Sequence, residues 1–188
     1  MRILTKDEVN AEKRPLMESI SDGAVFIYPT DTIYGLGCNA LKSEAVNKIR
    51  GLKERAQNPF SVIAPSKQWI FDNCLISEEA MEWIEKLPGP YTLILRLKGN
   101  AVAREVNPGL STLGVRIPEH WFSSFAQEME IPIVTTSANK MGNDFMTSLE
   151  DLDMDIKSSV DFIIYEGEKK GSPSQIIDLS NKARIIER

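Results

Sequence analysis

What most constrains the fold of this chain is its run of short apolar segments, each ending in a polar cluster or turn. They lie at Ala24 to Tyr28, Phe60 to Ala64, the YTLILRL stretch from Tyr91, Thr112 to Ile117, Ile131 to Thr136, Asp161 to Tyr165, Gln175 to Leu179 and Arg184 to Ile186. None approaches the roughly 20 apolar residues of a membrane helix, and their length and β-branched content read as strands. Between them the period changes. A first helix ends over 16–22 at the Asp22-Gly23 turn, and a second begins at Ser43 with Ala45, Val46, Ile49 and Leu52 at helical spacing. The second ends near GLKERAQNP, where Asn58-Pro59 demands an extended exit. Ser77 caps a further helix with Ala80, Met81, Ile84 and Leu87 along one face, stopped by Pro88-Gly89-Pro90. An amphipathic segment spans Glu119 to Glu128, and Thr147-Ser148-Leu149-Glu150 reads as a capping box. Loose alternation, with hairpin-like pairs near the C-terminus, predicts one α/β domain over 1–188. Its core would be a twisted, mixed parallel/antiparallel sheet flanked by helices.

Composition narrows the class. With 188 residues, 42% hydrophobic and 26% charged, the chain can bury one sizeable core. MRILTKDEVNAEKR has no apolar signal core, so the expectation is a cytoplasmic protein without a membrane partner. Cys38 and Cys74 lie far apart and fit no metal-ligand spacing, which predicts reduced, partly buried thiols. His120 is the only histidine and reads as a local hydrogen-bonding residue. The net charge of −5 argues against broad coating of nucleic acid. Lys42, Lys48, Arg50, Lys53 and Arg55 nonetheless form a basic run, whose simplest reading is a solvated helix face.

Polar clusters at strand ends are where chemistry would sit, because open α/β sheets place ligands there. YPTDTIYGLGCNA delivers Thr30, Thr32 and Tyr34 to one place, although Pro29 and the glycines fit a plain turn equally well. Lys53-Glu54-Arg55, with Asn58 close behind, sets two cations at a helix end where they can converge on a polyanion. There is no GxxxxGK[ST], so a nucleotide would not be held by a P-loop. VTTSANKMG, Val134 to Gly142, repeats the pattern of hydroxyls after a buried strand. Thr112 and Arg116 in STLGVR share one strand face.

Taken in order, PTDTIYGLG, the KxR triplet before NP, STLGVRIPEH, TSAN and SQIIDL resemble the threonylcarbamoyl-AMP synthase family, the YrdC-like group, from about Gly23 to Arg188. The resemblance implies a short, single-domain member that lacks the second domain of longer ones. It implies synthesis of threonylcarbamoyl-AMP from L-threonine, bicarbonate and ATP, with Mg2+ accompanying the nucleotide and pyrophosphate released. The product would serve modification of tRNA adenosine beside the anticodon, by a separate transferase or complex. Lys53 and Arg55 would be catalytic. Arg55, Asn58, Thr112, Asn139, Thr147 and Arg188 would contact ATP, and Thr32, Arg116, Ser137 and Ser174 would contact threonine; no metal is held by the protein itself. Three positions depart from the family pattern: Ala56 replaces a proline, Ile63 stands near a usual histidine, and Pro173-Ser174-Gln175 keeps only the serine of EST. Alternatives are a double-stranded RNA or tRNA-binding module of the same fold, or a paralogue with altered activity.

Overall fold

The structure, a computed structural model, describes residues 1–55 and 57–186. Each predicted apolar run becomes a strand. The chain opens with β1 (Arg2–Leu4), α1 (Lys6–Ala11) and α2 (Lys13–Asp22), then β2 (Phe26–Tyr28), β3 (Gly35–Gly37) and α3 (Ser43–Leu52). β4 (Ser61–Ile63), α4 (Lys67–Asn73), β5 (Cys74–Leu75), α5 (Glu78–Glu85) and β6 (Tyr91–Leu97) follow. The last part holds β7 (Thr112–Arg116), α6 (Ser123–Met129), β8 (Ile133–Ser137), α7 (Met154–Ser159), β9 (Phe162–Ile164), β10 (Gln175–Asp178) and β11 (Arg184–Ile186).

Among the described residues these strands form one sheet in the order β1-β9-β2-β3-β8-β4-β7-β6-β10-β11, with β5 added to β6. β9 is parallel to β1 and β2, β4 to β7, and β6 to β10. The pairs β2–β3, β3–β8, β4–β8, β6–β7 and β10–β11 are antiparallel. The mixed α/β sheet expected from the sequence is therefore present.

Alternation along the strands decides where the site falls. Leu93 and Leu95 of β6, Leu113 and Val115 of β7, Val62 of β4 and Val134 of β8 point to one face. There they pack with Val46 and Ile49 of α3, Ile70 of α4, Ile84 of α5 and Ile156 of α7. The other face is covered at its β1–β9–β2 end, where Val9, Leu16, Ile20 and Phe125 of α1, α2 and α6 meet Phe26, Tyr28 and Phe162, with Ile63 of β4 and Ile133 of β8 joining the same cluster. Aromatic stacking marks this second core: Phe26 on Phe162 with centroids 5.0 Å apart and Tyr28 on Phe122 at 4.5 Å. Beyond it, the same face of β4, β6, β7, β8, β10 and β11 presents hydroxyls, arginines and an open cavity.

Local chemistry differs from expectation in four places. The GLG of the opening motif is strand β3 rather than a turn, paired to β2 through Tyr28↔Gly35 and Phe26↔Gly37. The Tyr28 ring lies across both glycines: a Cβ would sit 2.8 Å from its Cζ at Gly35 and 2.7 Å from its Cε1 at Gly37. Thr147 does not cap a helix; its hydroxyl and N–H donate to the Asp151 carboxylate, and α7 starts at Met154 under an Asp153 cap. His120 makes the local bond expected, its Nδ1 accepting the Phe122 N–H at 3.3 Å, but also a distant one, its Nε2 lying 3.0 Å from Glu166 Oε1 across 46 residues. Cys38 and Cys74 are free, as expected, but fully rather than partly buried, and burial pushes the Cys74 thiol up to about 11.

Candidate functional site

The hairpin loop between β2 and β3 folds its hydroxyls inward. Thr30 Oγ1 donates to the Ile33 carbonyl (2.7 Å), accepts the Thr32 N–H (3.1 Å) and lies 2.9 Å from Thr32 Oγ1. Two N–H groups of Arg116, from the end of β7, reach Thr32 Oγ1 at 3.4 Å, and Nη2 donates to Asp31 Oδ1 at 2.5 Å. Asp31 Oδ2 in turn accepts the Glu119 N–H at 2.9 Å. Arg116 is only 5% exposed, yet its Nε has no partner among the described residues. A buried guanidinium with an unused donor is a receptor for a carboxylate or phosphate oxygen.

Residues 166–174 roof this loop. The Tyr34 hydroxyl donates to the Gly167 carbonyl (2.6 Å) and accepts the Glu166 N–H (3.1 Å). Gly171 packs against the Thr32 carbonyl so closely that a Cβ has no room. The Glu166 carboxylate accepts from Lys169 (2.6 Å), Trp121 Nε1 and His120 Nε2 (3.0 Å each). Burial opposes its charge, but these three donors hold its pKa below the usual carboxylate value.

The SxN segment ends β8 and is fastened to α3 by Lys53. That ammonium donates to the Ser137 and Asn139 carbonyls at 2.6 Å each and to Asn139 Oδ1 at 3.1 Å. Asn139 Oδ1 also accepts from Ser137 Oγ at 2.5 Å. Lys53 is 2% exposed. Burial and the neighbouring Arg55 push its pKa down to about 7, while the three acceptors favour the charged form. All three donors of the ammonium are committed to the protein.

Arg55 turns the other way, into the cavity, with its guanidinium carbon 5.6 Å from the Phe60 ring centroid and its Nε buried without a partner among the described residues. Burial, then Arg50, lowers its pKa. Arg50 shapes the loop that carries it: Nη1 donates to the carbonyls of Arg55 (2.9 Å) and Asn58 (3.1 Å), and Nε to that of Glu105 (2.6 Å). The basic run thus forms no single solvated face. Arg50 and Lys53 are buried, Arg55 is half-buried, and Lys48 pairs with Asp161 at 3.3 Å.

Two cavities adjoin on the uncovered half-sheet. A small one, about 40 Å³, is lined by Thr30, Tyr34, Arg116, Pro173 and Ser174. A larger one, about 510 Å³, runs from Arg55 and Phe60 across Thr112 to Ile176, Asp178, Arg184 and Ile186. They share Ser61, Thr92, Thr135, Thr136 and Ser137 as a common wall.

Of the residues singled out from sequence, Arg116, Ser137 and Ser174 line the small cavity, and Arg55, Thr112 and Ser137 the large one. Thr32 stands behind Arg116. Asn58 is exposed and meets Arg50 through its carbonyl, Thr147 is engaged with Asp151, and Asn139 with Lys53, Ser137 and Asn143; none of the three is a wall residue. Ala56 and Arg188 lie outside the described residues. Sequence reasoning passed over Asp31, Ser61, Thr92 and Asp178. Asp31, inside the PTDT motif, and Asp178, inside SQIIDL, carried a signal, whereas Ser61 and Thr92 are ordinary strand residues until their neighbours are known.

The model of the Sua5/YciO/YrdC family, described as "Telomere recombination", matches residues 18–188. The chain belongs to this family. As a Sua5/YciO/YrdC protein it is 34% identical, over its whole length and 92% of the relative, to a Methanocaldococcus jannaschii protein described provisionally as a threonylcarbamoyl-AMP synthase. Identity to the threonylcarbamoyl-AMP synthase of Pyrococcus abyssi is 37%, over 90% of this chain and 51% of that one. The crystal structure of P. abyssi Sua5 complexed with L-threonine superposes with a TM-score of 0.88 at 31% identity, over 99% of this chain and 56% of that one. The chain thus spans about half the length of the Pyrococcus relative and nearly all of the Methanocaldococcus one.

Proposed function

We propose that residues 1–188 act as a threonylcarbamoyl-AMP synthase domain, condensing L-threonine, bicarbonate and ATP and releasing pyrophosphate. The observation that carries this reading is the pair of adjoining cavities, each with one arginine whose buried Nε lacks a partner among the described residues: Arg116 in the small cavity and Arg55 in the large. A carboxylate on Arg116 and a phosphate on Arg55 would satisfy both, with the reacting atoms meeting along the shared hydroxyl wall. The relatives' names and the threonine complex of P. abyssi Sua5 supply the amino acid and the product.

In this reading the threonine amine attacks bicarbonate with loss of water, or carbon dioxide with loss of a proton, and an oxygen of the resulting carbamate attacks the α-phosphate, expelling pyrophosphate. The substrates provide both nucleophiles, so the chain contributes alignment and preorganised charge. Arg116 holds the threonine carboxylate, with Thr32 at its back and Ser137 and Ser174 in the wall. Arg55 takes phosphate charge. Lys53 acts by fixing Ser137 and Asn139. Magnesium travels on the triphosphate, whose oxygens are its natural hard ligands. The product would pass to a separate transferase that modifies tRNA adenosine in the cytoplasm.

The test is incubation with ATP, bicarbonate and each amino acid, reading pyrophosphate and the mass of the adenylate. Pyrophosphate release should require both threonine and bicarbonate. Serine should serve less well, for it lacks one methyl group worth about 1 kcal/mol in an apolar subsite. ATP turnover indifferent to threonine would overturn the reading.

A further inference from the structure

The last two strands supply a wall of the large cavity whose chemistry the family motifs leave unexplained. Ile176 and Asp178 of β10 and Arg184 and Ile186 of β11 line it, and Asp178 pairs directly across the ladder with Arg184. Asp178 is 6% exposed. Its Oδ1 accepts the Ser180 N–H (3.0 Å) and Oγ–H (2.6 Å), and its Oδ2 accepts Nε (3.0 Å) and Nη2 (2.7 Å) of Arg184. Both carboxylate oxygens are thereby used on protein donors. The guanidinium is fixed through one side only, and Arg184 keeps 72% of its side chain exposed. Of its five N–H donors, those on Nη1 and the second on Nη2 have no partner among the described residues.

Charge in the cavity gives this placement its meaning. A nucleoside triphosphate brings several negative charges, yet Lys53 is committed to Ser137 and Asn139, and Arg116 belongs to the small cavity. The cations lining the large cavity, among the described residues, are Arg55 from one side and Arg184 from the other. We propose that Arg184, stationed by the buried Asp178, is a second phosphate-binding arginine of this site, facing Arg55 across the cavity and contacting the phosphate chain of the nucleotide. Asp178 is its positioning residue. The pairing holds the guanidinium at the rim before the nucleotide arrives, so less side-chain freedom is lost on binding than for a free surface arginine.

This inference rests on the nucleotide reading of the large cavity, and its test separates the two. ATP, AMP and adenosine are titrated calorimetrically into the wild-type chain and into Arg184→Ala, Arg184→Lys and Asp178→Asn. Arg184→Ala should weaken ATP about tenfold or more and adenosine by less than about twofold, with Arg184→Lys in between. Raising the salt concentration should shrink the ATP difference, because the lost contact is ionic. Asp178→Asn should reproduce the ATP-selective loss with threonine affinity unchanged; a purely structural role would weaken every ligand. ATP affinity unaltered in Arg184→Ala would overturn the inference and leave the synthase reading standing. So would equal losses for ATP and adenosine, which would place Arg184 on the base. If the wild-type chain itself takes up no ATP, the synthase reading falls and this inference with it.

Discussion

Replacing Lys53 with methionine separates two ways in which a lysine in a KxR triplet can matter. The side chain keeps its length, but the Ser137 and Asn139 carbonyls and Asn139 Oδ1 lose a charged donor at 2.6, 2.6 and 3.1 Å. A buried acceptor left unpaired costs about 1–3 kcal/mol, and charge-assisted bonds sit at the upper end. Against that, a buried ammonium no longer has to be desolvated. Asn139 Oδ1 also keeps Ser137 Oγ as a donor, so the expected net loss is about 2–4 kcal/mol. Urea unfolding should show the midpoint falling with an unchanged slope, the signature of lost stability rather than a changed native state. Threonine affinity should fall as well, because Ser137 is displaced from the shared wall. Arg55→Ala is the comparison: it removes a cavity-facing cation and should cost activity with little change in the urea midpoint. If Lys53→Met loses activity at wild-type stability, the lysine works on the substrate, and its role as a strut is refuted.

Three shorter predictions follow from other contacts. Arg55→Ala should lower the rate by about one to two decades, the scale of a lost charge-assisted hydrogen bond, whereas Lys42→Ala and Lys48→Ala should leave it nearly unchanged; equal losses in all three would favour a diffuse basic surface. Gly37→Ala should destabilise by more than Gly35→Ala, within about 1–3 kcal/mol or above for the former, because a Cβ at Gly37 meets the Val134 carbonyl as well as Tyr28 while one at Gly35 meets only the ring. Trimming Tyr28 to leucine should therefore relieve Gly35→Ala and not Gly37→Ala, read by thermal melts of the double mutants. Burial holds the His120 pKa below its ordinary value, so the unfolded chain takes up a proton that the folded one resists, and stability should fall as pH drops below about 6.5; His120→Asn should flatten that slope, and an unchanged slope would put its origin elsewhere.

How much of this was legible in the sequence varies with the range of the interaction. YTLILRL and the helix after Ser43 could be read because their periodicity is local and agrees with the tertiary result. The GLG strand could not, since glycine has no strand preference; its reason is the Tyr28 ring on the neighbouring strand. At Thr147 the local pattern misled. Glu150 completes the spacing of a capping box, but Asp151 takes the hydroxyl and the helix begins later, under Asp153. The helix α1 has a genuine box, Thr5 with Glu8, three residues apart at its N-terminus. Arg55 and Arg116, which line the two cavities, could be picked out from their motifs, yet the bonds Lys53 makes could not be foreseen, because its acceptors lie 84 and 86 residues away.

The uneven cover of the sheet has a thermodynamic consequence. On one face the helices α3, α4, α5 and α7 complete a second layer; on the other, α1, α2 and α6 stop short, and the cavities occupy the remainder. A ligand seated there would do what a missing helix would do, covering Ile94, Ile176 and Ile186 and giving Arg55 Nε and Arg116 Nε the partner they lack among the described residues. Folding and binding are then linked by mass action, and a ligand at a hundred times its dissociation constant adds about 2.7 kcal/mol to the native state. The melting temperature should accordingly climb with the concentration of ATP or threonine. A variant weakened in the packed face, far from either cavity, should be rescued by the same substrates.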